Sequence, residues 1–84
     1  MTEIKNKFNI LKAMYPIDDD ELVMEDSSGR YLAIAEWKTG KQARLIDEVL
    51  LRQIVEHYNE LPELYYLRIF DTESWCEITS PDEL

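Results

Sequence analysis

Arg30-Tyr31-Leu32-Ala33-Ile34-Ala35-Glu36-Trp37-Lys38 is the most regular stretch of this 84-residue chain. Side chains along an extended strand alternate between its two faces. Tyr31, Ala33, Ala35 and Trp37 therefore point one way, and Leu32, Ile34, Glu36 and Lys38 the other. Thr39-Gly40 follows and reads as a tight turn into a further strand over residues 41–45. Gln42-Ala43-Arg44-Leu45 also has fair helix propensity, so that strand competes with a backward extension of the next helix. Upstream, Ser27-Ser28-Gly29 reads as a three-residue turn from a short strand over residues 21–25, with Gly29 free to take positive φ.

Helical spacing flanks this β region. Ile4, Phe8, Leu11 and Tyr15 recur at intervals of four, three and four and share one face of a helix over residues 3–15. The Thr2 hydroxyl suits its start, and Pro16 stops it. Asp47 is a good N-cap for a second helix over residues 47–60, which Pro62 ends. Its apolar half-wheel holds Ile46, Leu50, Leu51, Ile54, Val55, Tyr58 and Leu61. Residues 64–70 and 75–79 are β-prone and joined by Asp71-Thr72-Glu73-Ser74. The order is α-βββ-α-ββ. The expected fold is α+β: a two-layer sandwich, an antiparallel sheet of about five strands with both helices on one face. The expected core is Ile4, Phe8, Leu11, Leu32, Ile34, Leu50, Ile54, Tyr58, Leu67 and Ile69. Residues 1–84 read as a single domain, with residues 80–84 frayed.

Composition narrows the function classes. Apolar residues make up 45% of the chain and aromatics 11%, which is globular rather than disordered. Cys76 is the only cysteine, so no internal disulfide can form. The longest apolar run, Tyr31–Ala35, is far short of the roughly 20 residues of a membrane span. MTEIKNKFNI lacks the basic-then-apolar layout of a signal peptide. A cytoplasmic setting is expected.

Charge is the strongest functional signal. Eighteen acids oppose nine bases, for a net charge of −9. Such a domain repels nucleic acid and anionic membrane and attracts basic partner surfaces. The acids are concentrated: Ile17-Asp18-Asp19-Asp20-Glu21-Leu22-Val23-Met24-Glu25-Asp26 carries six carboxylates and no base.

Catalytic and ligand motifs are weak. His57 is the only histidine, and no local motif pairs it with Cys76. The aspartate run lacks the glycine and the bidentate glutamate of a calcium loop, so no metal site is expected. With only Gly29 and Gly40, phosphate-cradling glycine loops cannot exist. No cofactor is expected. Lys38, Lys41 and Arg44 beside Trp37 could meet phosphate, but the acidic background opposes direct nucleic-acid binding.

The expectation is therefore a non-enzymatic, acidic, protein-binding inhibitor or antagonist. Its carboxylates would imitate spaced phosphates and dock on the basic surface of a nuclease, a DNA-repair enzyme or a defence effector. Phage, mobile-element and immunity proteins of this general description are short and acidic. The expected contact residues are Asp18, Asp19, Asp20, Glu21, Glu25 and Asp26, with Trp37, Tyr66 and Trp75 on an aromatic sheet face rimmed by Asp71, Glu73 and Glu77. As adjacent strand residues, Tyr65 and Tyr66 should point to opposite faces. The alternative is a non-catalytic interaction or self-assembly module, such as a homodimer, whose acidity serves only solubility.

Overall fold

The computed structural model describes residues 2–57, 60 and 62–78. The elements are α1 (Thr2–Met14), β1 (Leu22–Met24), β2 (Tyr31–Trp37), β3 (Gly40–Ile46), α2 (Glu48–Glu56), β4 (Leu64–Asp71) and β5 (Cys76–Ile78). The order is the expected α-βββ-α-ββ, in the α+β class, and residues 41–45 are strand. The Thr2 side chain, Tyr58 and the 80–84 tail lie outside what is described, so the cap, the core position and the fraying expected of them do too.

The sheet runs β1-β3-β2-β4-β5. β2 lies at its centre, antiparallel to β3 and to β4, and β4 is antiparallel to β5. The sheet is nevertheless mixed rather than wholly antiparallel, because β1 pairs with β3 in parallel, Leu22 against Lys41 and Met24 against Ala43. The β2–β3 hairpin inserts β3 between β1 and β2. Ser27-Ser28-Gly29 is accordingly not a hairpin turn but a crossing over the end of β3. Ser27 anchors the crossing, its hydroxyl donating to Glu25 O (2.9 Å) and accepting from Leu45 N (2.8 Å). Gly29, at φ +150°, lies so close to β3 that a Cβ there would stand 2.4 Å from Ile46 O. Only glycine fits that approach.

The two helices cover opposite faces, so the architecture has three layers rather than two. Ile4, Phe8 and Leu11 of α1, with Ile17, pack on Leu32, Ile34, Leu45 and Phe70. Leu51 of α2, with half-buried Leu50, Ile54 and Val55, packs on Tyr31, Ala33, Ile46 and Ile69. The reason is written in β2. Tyr31–Ala35 is apolar at every position, not at alternate ones, and all five residues are buried. A continuous apolar run marks a strand covered on both faces.

Six of the ten expected core residues are buried: Ile4, Phe8, Leu11, Leu32, Ile34 and Ile69. Leu50, Ile54 and Leu67 are half-buried, and Leu51 is the fully buried residue of α2. Asp47 caps that helix, accepting from Leu50 N through Oδ1 at 2.8 Å. The helix ends at Glu56, with His57 as its C-cap, ahead of Pro62. Beyond it Glu60 N reaches back to His57 O (2.9 Å), a tighter turn that departs from α-helical bonding.

Candidate functional site

The acidic run begins where buried Ile17 pins the chain beneath α1. It then forms a fixed turn. Asp20 N donates to Asp18 Oδ1 (3.0 Å) and Leu22 N to Asp19 O (3.2 Å). Glu21 completes the turn in the left-handed region, at φ +59°. Asp18, Asp19, Asp20 and Glu21 are all exposed. They sit at the hairpin end of the sheet, the end where Lys38 and Thr39 join β2 to β3.

No base occurs within the run, but the fold brings Lys41, Lys12 and Arg44 to it. Lys41 Nζ of β3 donates to Asp18 Oδ2 (3.0 Å), and Lys12 Nζ of α1 donates to Asp19 Oδ2. Arg44 Nε stands 3.9 Å from Glu25, at the end of β1. The Asp20 N–H, and next the Lys41 ammonium, hold the Asp18 carboxyl below the usual range. The Lys12 hydrogen bond does the same for Asp19. Asp26 follows β1 and is exposed. The basic stretch of the hairpin is thereby largely offset, since Lys41 and Arg44 both face carboxylates.

The aromatic residues are not gathered on one face. Trp37 closes β2 on the α2 side. With the Gln42 amide assigned to the orientation that satisfies both its ends, its oxygen accepts from the Trp37 indole N–H (3.3 Å) and its nitrogen donates to Glu25 (3.2 Å). Tyr66 pairs with Glu36 and lies on the α1 side. Trp75 belongs to the other end of β4, in the turn into β5. There its backbone takes φ +60°, its ring packs beside the α1 cluster, and its carbonyl accepts from Tyr15 Oη (2.8 Å). The structure thus brings Tyr66 and Trp37 to the acidic end and places Trp75 away from it, in a packing role.

Tyr65 departs from simple alternation. Glu36 pairs with Tyr66, but the next residue, Trp37, pairs with Leu64, so Tyr65 is the extra residue of a β-bulge. A bulge re-aims side chains. Tyr65 and Tyr66 consequently line the same open cleft, together with Asp18, Ile34, Glu36 and Lys41. A second open cleft, of about 630 Å³, adjoins it between β1 and the hairpin and includes Glu21, Val23, Trp37, Lys38 and Tyr65.

Comparison with protein-family models, curated proteins and solved structures finds no match.

Of the expected acidic rim, Asp71 and Glu77 are built into the framework, while Glu73 is exposed with Arg30 Nε 3.2 Å away. Asp71 is 9% exposed and takes a bidentate bond from Arg30, Nε to Oδ1 at 2.9 Å and Nη2 to Oδ2 at 2.7 Å. Asp71 Oδ1 also accepts from Glu73 N (2.9 Å), and Thr72 bonds to Arg30 O through its N–H (3.0 Å) and its hydroxyl. The Arg30 guanidinium holds the Asp71 carboxyl at about 2. Glu77 is gripped by Arg68, Nε to Oε2 at 2.9 Å and Nη2 to Oε1 at 3.0 Å. Arg68 also donates to Pro16 O (2.9 Å) and lies 5.0 Å over the Phe70 ring.

The remaining reactive groups have local engagements. His57 Nδ1 lies 2.8 Å from Glu60 Oε2, and Cys76 Sγ donates to Ser74 O at 3.6 Å. Among the described residues, no three His, Cys, Asp or Glu side chains converge to hold a metal ion, and no helix is long and apolar enough to cross a membrane.

Proposed function

We propose that this chain is a small, non-catalytic, acidic inhibitor or antagonist that docks by the hairpin end of its sheet on a basic, nucleic-acid-binding surface of a partner enzyme. The observation that carries the reading is the hydrogen-bonded, exposed turn Asp18–Glu21, beside the exposed Tyr65 and Tyr66. Closely spaced, exposed carboxylates offer a basic groove the negative charge it uses to hold phosphates. Exposed tyrosines add apolar contact with a polar tip, a combination enriched at binding surfaces. Lys12, Lys41 and Arg44 temper the acidic run at Asp19, Asp18 and Glu25, and the carboxylates of Asp18–Glu21 stay exposed.

The test begins with capture of partners from a cell extract, read for proteins with basic surfaces. Association rates are then compared for the parent and the triple variant Asp18→Asn, Asp19→Asn, Asp20→Asn at low and high salt. In that variant the side-chain amide oxygen at position 18 can still accept from the residue-20 N–H, so the turn survives. Slower association for the variant at low salt, with the difference shrinking at high salt, supports the proposal, because exposed charges more than about 10 Å apart are screened at 0.1 M. Equal rates at both salts overturn it.

A second reading, self-association, draws on one observation. Ile10 and Met14 are 45% and 55% exposed and lie one turn apart on the outer side of α1. A molecular mass that rises with concentration in sedimentation, and stops rising in Met14→Lys, would favour it.

A further inference from the structure

The bulge at Tyr65 has a chemical consequence at the hairpin end. Tyr65 is 59% and Tyr66 43% exposed, although both are large and partly apolar. They share an open cleft of about 300 Å³ with Asp18, Glu36, Lys41 and the buried Ile34. The cleft therefore combines two aromatic rings, two carboxylates and an apolar floor.

We propose that this cleft receives the guanidinium of an arginine presented by the basic surface of the partner protein. The inference rests on the functional reading above and names the group that reading requires. Ring faces attract cations, and carboxylates beside them add charge. The apolar floor at Ile34 suits the methylene stem of a long cationic side chain. The cleft already holds one cation of the protein's own. Asp18 binds the Lys41 ammonium at 3.0 Å, and Glu36 and Asp20 act on the same charge. The two carboxylates that line the cleft, Asp18 and Glu36, outnumber its one ammonium. Arginine fits better than lysine because its planar guanidinium stacks on rings and sheds water more readily than an ammonium.

The experiment needs no partner. N-acetyl-arginine amide and N-acetyl-lysine amide are titrated separately into the protein, and the Tyr65 and Tyr66 ring resonances are followed by NMR. The expected result is a saturable shift with the arginine probe, about threefold tighter than with the lysine probe, and weakened about threefold in Tyr65→Ala. Glu73→Gln, at the opposite end of the sheet, should leave it unchanged. Equal binding of the two probes, shifts confined to the Asp18–Asp26 amides, or an unaltered response in Tyr65→Ala would each overturn the proposal. A chain that takes up the arginine probe yet captures no basic protein would overturn the functional reading alone. A captured partner that associates equally fast with the parent and with Tyr65→Ala would overturn the arginine cleft alone.

Discussion

Two sets of carboxylates in this molecule differ in how they are held. Asp71 and Glu77 are locked: each takes a bidentate arginine, and their side chains are only 13% and 24% exposed. Asp18, in the acidic run, is 73% exposed and meets Lys41 through a single contact, and Glu25 meets Arg44 only at 3.9 Å. A planar guanidinium fixes a carboxylate in two places, whereas an ammonium meets it as a point charge. The locked acids join distant segments, Arg30 to the β4–β5 turn and Arg68 to both β5 and the α1–β1 connection. Asp18 and Asp19 reach Lys41 and Lys12 through single ammonium contacts and remain open to solvent. Acids of the same formal charge thus divide into framework and surface, and Asp71 and Glu77 of the framework are the ones held in two places by one guanidinium.

The largest effect expected from this division is at Arg68. Arg68→Ala removes the Glu77 pair, the bond to Pro16 O and the contact over Phe70. The loss should be about 3 kcal/mol, toward the lower end for a buried pair because both partners keep some exposure. Urea unfolding measures it, and a loss under about 1 kcal/mol would place this pair with ordinary surface pairs. Next comes Asp71→Ala, expected to cost about 1.5–3 kcal/mol, the range for hydrogen bonds to charged groups.

Acid titration sharpens the contrast. The Asp71 carboxyl is held at about 2 in the folded chain, against roughly 3.9 for an unfolded aspartate. A depressed folded value means that the stabilisation is complete above the unfolded value and is lost as pH falls through the folded one. The parent should therefore lose stability between about pH 4 and pH 2, and Asp71→Asn should lose less over that window. Equal slopes in urea unfolding at pH 4, 3 and 2 would contradict the lock. The smallest effect belongs to the exposed run. The triple variant at Asp18, Asp19 and Asp20 should stay within about 0.5 kcal/mol of the parent, even if its binding changes.

The parts of the fold set by local chemistry were legible in the sequence. The spacing of Ile4, Phe8 and Leu11, the alternation around Trp37 and the cap at Asp47 each act within a few residues of themselves. The parts set by distant partners were not. Nothing within Leu22–Met24 states that it pairs in parallel with β3, because that depends on the β2–β3 hairpin folding back between β1 and β2. The face taken by α2 could be read from the unbroken apolar run Tyr31–Ala35, but only by weighing it above the alternation. At the candidate site, the density of Asp18–Glu21 was visible, while its bases were not, since Lys41 lies 23 residues from Asp18. The departure of Tyr65 from simple alternation was not legible, because a bulge is a property of two strands in register, not of one. Asp71 read as a free rim because Arg30 is 41 residues away.

The crossing at Gly29 bears on the order in which the molecule assembles. β2 and β3 pair from Trp37–Gly40 to Tyr31–Ile46 around a two-residue link, so their contacts close short loops and can form early. β1 can dock only on a finished β3, and Gly29 can seat against Ile46 only once that strand's end is in place. The three-residue edge and the acidic turn attached to it should thus be the last part to order and the first to open. Backbone amides of β1 should then exchange with solvent deuterium faster than those of β2, and the acidic turn would meet its partner from the most easily loosened edge of the sheet.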